Sequence, residues 1–399
     1  MTKQIFPPTI TGTSFAEGGS VLEHRFGEGE PYTLGVEEEY MLLDGQTLDL
    51  VQHVETVLAA AKGDELGERV NPELMQSVLE IATPVCSSPA EIDAELRKLR
   101  AYVTGLAREQ EMRVGSAGTH PFSLFERQRI TARDRYRHLV DQLQYVARRE
   151  LIFGLHIHVA VDDPEKAVKV VNGLLAHLSS LLALSASSPF WRGEPTGLAS
   201  SRQMVFAAFP RSGPPPRFND YADYAEVVGQ LEKTGCIADY THIWWDIRLH
   251  PRFGTVEIRV CDAVTRVEDA VALAAFCQSL VKLYSEHHEV GKEIPSYHRI
   301  LTTENKWLAA RYGLEAPVMD LATGRRNRVP VAQLIRRTLK ELEPHARELG
   351  SDRELEGIHE ILRKGNGSDR QRRVWNSNRD IVEVVRELAD ATEPAAVTA

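Results

Sequence analysis

From Tyr32 onward the chain alternates short runs of period-two character with longer stretches of helical period. Strand-like runs cover residues 33–43, 77–83, 112–118, 151–161, 203–209, 242–249 and 254–262. Helical periodicity covers 89–110 and 163–187, where Pro89 and Pro164 can each open a helix. After about residue 265 it dominates, over 266–288, 298–312, 330–349, 352–364 and 377–390. Strands and helices do not alternate one for one, so a doubly wound parallel sheet is not required. The pattern predicts an α+β fold in which the first part of the chain builds one large sheet and the helical second part covers it. Residues 192–218, dense in Pro, Gly, Ser and Arg, read as a long functional loop. Residues 1–31 and 391–399 read as flexible tails around a single unit at 32–390.

Several strand-like runs carry polar residues two apart where a buried strand should be apolar, and a spacing of two puts them on one face. In GVEEEY, Glu37 and Glu39 point one way and Glu38 the other. In 151–161, Leu155, Ile157 and Val159 share the apolar face, and His156 and His158 the opposite one. In 254–262, Val256, Ile258 and Val260 oppose Thr255, Glu257, Arg259 and Cys261. Glu80 interrupts Val78, Leu79 and Ile81, and Asp246 and Arg248 repeat the motif more weakly. Each of these has a plain alternative in a solvated edge, hydrogen-bonded core histidines or a same-strand ion pair. Together, Glu37, Glu39, Glu80, His156 and Glu257 would gather four carboxylates and an imidazole on one sheet face. Such a set repels itself unless divalent cations neutralise it, and carboxylate ligands favour Mg²⁺ or Mn²⁺. Arg202, Arg248 and Arg259 nearby suit phosphoryl transfer, because guanidinium groups take up developing phosphate charge. No GxxxxGK[ST] loop and no GxGxxG after a strand is present, which disfavours Walker-type and dinucleotide sites.

Composition narrows the partners. The chain has 399 residues, 43% of them hydrophobic and 26% charged, ordinary values for a globular protein. Its formal net charge of −10 opposes nucleic acid and anionic membranes as partners. Four scattered cysteines form no CxxC pair and no disulfide framework, and the N-terminus lacks an apolar signal region, so a reduced, cytoplasmic, untargeted chain is expected.

The motifs GVEEEY, LEIAT, GLHIHV, LALSASSPFWRGEPTGLASSR, IWWDIR and TVEIRVCDA, with ENKWLAARYG and RQRR further on, stand in the order found in type 2 glutamate-cysteine ligases, a group of carboxylate-amine ligases. The resemblance spans residues 32–390. It implies a glutamine-synthetase-like catalytic fold with a curved, mainly antiparallel sheet whose concave face binds metals, ATP and an amino acid. It further implies ATP-dependent activation of a glutamate γ-carboxylate as an acyl phosphate, attacked by the amine of cysteine, and possible homo-oligomers. By motif, Glu37, Glu39, Glu80, His156 and Glu257 resemble metal ligands and Arg259 the phosphate-binding arginine; His158, Arg202 and Arg248 resemble lining residues of the substrate or phosphate region. Two other readings compete: a metal-dependent hydrolase using His156 and His158, for which later strands add only His242 at an edge, and a non-catalytic paralogue that binds nucleotide or amino acid.

Overall fold

The computed structural model describes residues 22–321 and 327–394. Seven strands form one antiparallel sheet: β1 (Leu34–Asp44), β2 (Val70–Pro72), β3 (Val78–Ala82), β4 (Met112–Gly115), β5 (Gly154–Ala160), β6 (Ile247–His250) and β7 (Thr255–Asp262). Their order is β6-β7-β5-β1-β3-β2. The long β1 carries two neighbours on one edge, β5 along Leu34–Glu38 and β4 along Met41–Asp44, while β3 pairs with its centre. Strand alternation then separates the faces. Leu34, Val36, Tyr40 and Leu42 of β1 join Leu155, Ile157, Val159, Val256 and Ile258 in the main core, and Glu37 and Glu39 project from the other side.

The helix Pro89–Glu109, opened by Pro89 and capped by Ser88, lays Ile92, Leu96, Leu99 and Val103 on that core. The helix Val267–Glu289 is buried along 16 of its 23 residues, the mark of a central helix enclosed between the sheet and outer helices. It contacts Pro89–Glu109, Pro164–Leu174, Val331–Leu349 and Gly357–Lys364. The stretch Pro164–Ser185 is long and apolar enough to cross a membrane, but its most apolar 18 residues are 83% buried inside the fold.

The expected α+β architecture of a mainly antiparallel sheet with covering helices is therefore present, with local departures. Residues 203–209 are no strand: Arg202–Phe206 is a helical turn, because Val205, Phe206 and Phe209 pack beside Ile152 from one helical side, and so short an apolar run has no decisive period. The loop 192–218 is partly regular: it contains that turn, its Glu194–Pro195 pairs with Phe190–Trp191 and its Ser212–Gly213 with Trp244–Trp245. The run 242–249 is split into Trp244–Trp245 and β6. A helix at Tyr221–Lys233, N-capped by Asp220, had no counterpart in the expected elements. The expected helix 377–390 begins at Ile381, after Arg379 takes a left-handed φ of 58° that closes the helix Gly367–Asn378.

Residues 1–21 and 395–399 of the expected tails lie outside the described residues. Within the described part, Phe26 is buried against Tyr221, and the last helix runs to Thr392, whose hydroxyl accepts a hydrogen bond from the Ser116 amide at 3.0 Å. Phe26 and the last helix thus anchor these stretches to the body, while residues 27–31 are exposed.

Candidate active site

Register assembles the polar face. Across the sheet, Arg248 of β6 stands opposite Glu257 of β7, Glu257 opposite His158 of β5, His156 opposite Glu37 of β1, and Glu39 opposite Glu80 of β3. All of these residues, with Arg202 and Arg259, line one cavity of about 430 Å³. The nine candidate residues thus come together; of the pairings involved, that of β6 with β7 is a hairpin closed by the short turn 251–254, whereas β7 with β5, β5 with β1 and β1 with β3 meet across long stretches of chain.

The acidic and imidazole ligand atoms fall into two groups, Glu37 with His158 and Glu257, and Glu39 with Glu73 and Glu80, each set lying within 4.8 Å. His158 Nδ1 lies 3.0 Å from Thr255 Oγ1, leaving Nε2 without a hydrogen-bond partner between Glu37 Oε1 at 3.6 Å and Glu257 Oε1 at 3.8 Å. A buried, unpartnered ring nitrogen facing two carboxylates suits a cation. His156 joins neither group; its Nδ1 lies 3.2 Å from Glu37 Oε2, backing that carboxylate.

Electrostatics separates the two groups. Burial pushes the Glu37 carboxyl up, but the neighbouring imidazoles of His156 and His158 outweigh it and hold the group well below the usual carboxylate range. Glu257 is likewise held well below that range, against burial, by Arg248 and Arg259. Arg248 grips it through Nε and Nη2, both at 2.7 Å from Oε2, and Arg259 Nη1 donates to Oε1. In the second group Arg202, Arg259 and Arg135 offset only part of the charge. Burial and then the charge of Glu73 push Glu39 up to about 7. Burial, reinforced by Glu37, Glu73 and Glu39, drives Glu80 well above its ordinary value. Among the described residues no salt bridge reaches Glu39, Glu73 or Glu80, so a divalent cation is the partner this donor set fits.

Two guanidinium groups complete the face. Arg202 is 3% exposed and, among the described residues, its Nε has no partner and its terminal nitrogens reach only the Arg259 carbonyl at 3.4–3.5 Å and Asp262 at 4.0 Å. Arg259 also keeps a buried, unpartnered Nε. Gly154 makes room for this arrangement, since a Cβ there would stand 2.6 Å from Arg202 Nη2 and 3.0 Å from His156 Nε2, and its amide donates to Glu39 Oε2 at 2.6 Å.

Comparison with known proteins agrees with this architecture. Residues 33–390 match the family model described as glutamate-cysteine ligase family 2. The chain belongs to that family. A Rubrobacter xylanophilus protein named provisionally as glutamate–cysteine ligase 2-1 is 44% identical over 94% of this chain and 98% of its own length. A Solibacter usitatus protein named provisionally as glutamate–cysteine ligase 2 is 42% identical over 90% and 93%. Among solved structures, glutamate–cysteine ligase from Francisella tularensis in complex with AMP superposes with a TM-score of 0.66 at 13% identity, covering 93% of this chain and 91% of that one. A bifunctional glutathione synthetase from Pasteurella multocida gives 0.66 at 16% identity, over 91% of this chain and 52% of that one. At these identities the superpositions show the fold; membership in the family makes the chain an ATP-dependent carboxylate-amine ligase in place of the metal-dependent hydrolase.

Several lining residues carry no strand periodicity. Glu73 follows the three-residue β2 in a turn, where nothing marks its direction. Glu150 precedes β5, and burial pushes its carboxyl up to about 8. Asp246 departs from the expected pattern: it pairs with Lys306 Nζ at 2.6 Å and does not line the cavity. Cys261, expected beside Arg259, lies in the main core because a β-bulge between Ile258 and Cys261 reverses the alternation, turning Asp262 toward Ser188 and Ser200.

Proposed function

We propose that this family member joins the γ-carboxylate of glutamate to an amine, with cysteine as the family-typical acceptor, through a γ-glutamyl phosphate. The observation that supports this reading is the placement of two acidic groups and two guanidinium groups with spare donors around one cavity. Glu37, His158 and Glu257 would hold one divalent cation and Glu39, Glu73 and Glu80 another, and Mg²⁺ or Mn²⁺ bound there would supply charge neutralisation to the phosphate oxygens.

A carboxylate is a poor electrophile, so it first needs a leaving group. A glutamate γ-carboxylate oxygen attacks the γ-phosphorus of ATP, the bond to the bridging oxygen breaks, and ADP departs. Arg259 and Arg202 are placed to receive charge spread over the transferred phosphoryl oxygens. The amine nitrogen then attacks the acyl carbon, the carbon–oxygen bond to phosphate breaks, and the ammonium's surplus protons pass to phosphate and solvent. No side-chain nucleophile is required. Arg248 acts through Glu257, holding its carboxylate in one orientation. A cytoplasmic location accords with the ATP requirement and with four unpaired cysteines.

Incubation with ATP, Mg²⁺, glutamate and cysteine should yield ADP, phosphate and γ-glutamylcysteine in equal amounts. Failure to release ADP with every carboxylate and amine pair in a broad panel would overturn the proposal.

A further inference from the structure

The last residue of β7 carries a carboxylate that the chemistry described above does not use. Asp262 is fully buried, and Gly118 packs so closely behind it that a Cβ there would stand 2.6 Å from Asp262 Cγ and Oδ2. Three hydrogen bonds end on it: the Ser187 amide at 2.9 Å and the Ser188 hydroxyl at 2.7 Å donate to Oδ2, and the Ser200 hydroxyl at 2.8 Å donates to Oδ1. Its ion pair among the described residues is with Arg202 Nη1, at 4.0 Å.

A carboxylate only accepts, so each hydroxyl gives Asp262 its single proton and keeps its lone pairs for other donors. Those donors belong to the turn Arg202–Phe206. Ser188 Oγ accepts from the Arg202 amide at 3.1 Å and Ser200 Oγ from the Gln203 amide at 3.4 Å, whereas Ser201, at the N-cap position, makes no side-chain bond to the turn. Gln203 Nε2 ties the turn to the same strand through the Val260 carbonyl at 2.6 Å. Asp262 therefore acts on Arg202 at both ends, through Ser188 at the backbone nitrogen and across 4.0 Å at the guanidinium. The bulge that re-aims Asp262 is what brings its carboxylate to these serines.

We propose that Asp262 is the positioning residue of Arg202: its carboxylate fixes the Ser188 and Ser200 hydroxyls that hold the first amides of the turn, and so sets where the guanidinium meets the transferred phosphoryl group. The inference rests on the ligase reading and extends it to a residue that does not line the cavity. Asparagine in place of Asp262 keeps the shape but presents a donor on one side. A hydroxyl that accepts from that donor is no longer held with its lone pairs on the turn. Arg202 has few other restraints, and displacing a charge-stabilising group by about 1 Å can cost on the order of a hundredfold in rate.

The test is a double-mutant cycle in the full chain, reading ADP release with ATP, Mg²⁺, glutamate and hydroxylamine, a small acceptor that spares the assay any dependence on the natural amine. D262N should lower kcat roughly tenfold to a hundredfold, with the KM for glutamate changed by less than about twofold. In an R202A background, where no guanidinium is left to place, D262N should cost less than about a further twofold. A residue that only supported the fold would cost the same in both backgrounds; that result, or wild-type kcat in D262N, overturns the assignment. S200A removes one held hydroxyl and leaves the carboxylate in place, and it should show the same dependence on Arg202. If D262N does not fold, the S200A cycle decides, and equal loss with and without Arg202 overturns the assignment there too. Absence of ADP release in the wild-type reaction overturns the ligase reading, and the positioning role falls with it.

Discussion

Arg100 tests whether the back of the catalytic sheet depends on a single buried ion pair. Glu38 points away from the cavity into the core, 1% exposed, and Arg100 on the helix Pro89–Glu109 is fully buried against it. The guanidinium donates to Glu38 through Nε at 2.9 Å and Nη2 at 2.5 Å, and to the carbonyls of Thr265 at 2.6 Å and Val264 at 3.2 Å. Tyr40 donates to the same carboxylate. Arg100→Met keeps most of the volume but leaves Glu38 as a buried charge with one hydroxyl, a loss of about 3–5 kcal/mol. Two carbonyls that lose their donors add on the order of 1 kcal/mol or more. Against a whole-protein stability of about 5–15 kcal/mol, R100M should be near the limit of folding. The double variant E38L/R100M removes both charges and should recover most of that loss, since replacing a whole buried pair by apolar residues is often close to neutral. Urea unfolding followed by circular dichroism at neutral pH measures all three proteins. An R100M midpoint close to wild type, or a double variant less stable than R100M, would refute the argument.

Further expectations concern the site and its surroundings. Glu257→Gln should lower kcat by roughly a hundredfold or more, by removing a charged ligand of the first acidic group and releasing Arg259 from the carboxylate it pairs with; wild-type turnover in a folded variant would contradict that role. Manganese titration of the wild-type protein should show two classes of site, and E80A should lose the one built by Glu39, Glu73 and Glu80 while keeping the other; unaltered stoichiometry in E80A would count against that grouping. Buried His120 donates or shares Nε2 with the Leu48 carbonyl and accepts from the amides of Phe122 and Ser123 at Nδ1, and burial lowers its pKa to about 4. The unfolded chain therefore binds more protons than the folded one between about 6.5 and 4, so this contribution is complete above about 6.5 and is lost as pH falls toward 4, at most on the order of 3 kcal/mol. His120→Gln should flatten the acid limb of a stability–pH curve, and identical limbs in the two proteins would exclude this histidine as a source.

Alternation of period two was enough to place Glu37 and Glu39 together and Glu38 apart, to pair His156 with His158, and to set Glu257 beside Arg259, because a strand allows its side chains only two directions. The order of the motifs along the chain was enough for family resemblance. What alternation could not show was which strands are neighbours. The meeting of Glu37 with His158 and Glu257, rather than with His156 alone, follows from the order β7-β5-β1 and its register. Glu73 and Glu150 lie beside strands instead of within them, where no periodicity sets direction, so only packing brings them to the cavity. The bulge after Ile258 sends Cys261 into the core against the local pattern, and the 203–209 run became a helical turn because its aromatic residues found Ile152 and Trp244. Local sequence thus determined the strand faces and the chemistry each could offer; tertiary structure decided which groups share a cavity, since contacts between residues far apart in the chain depend on strand order, register and packing rather than on local period.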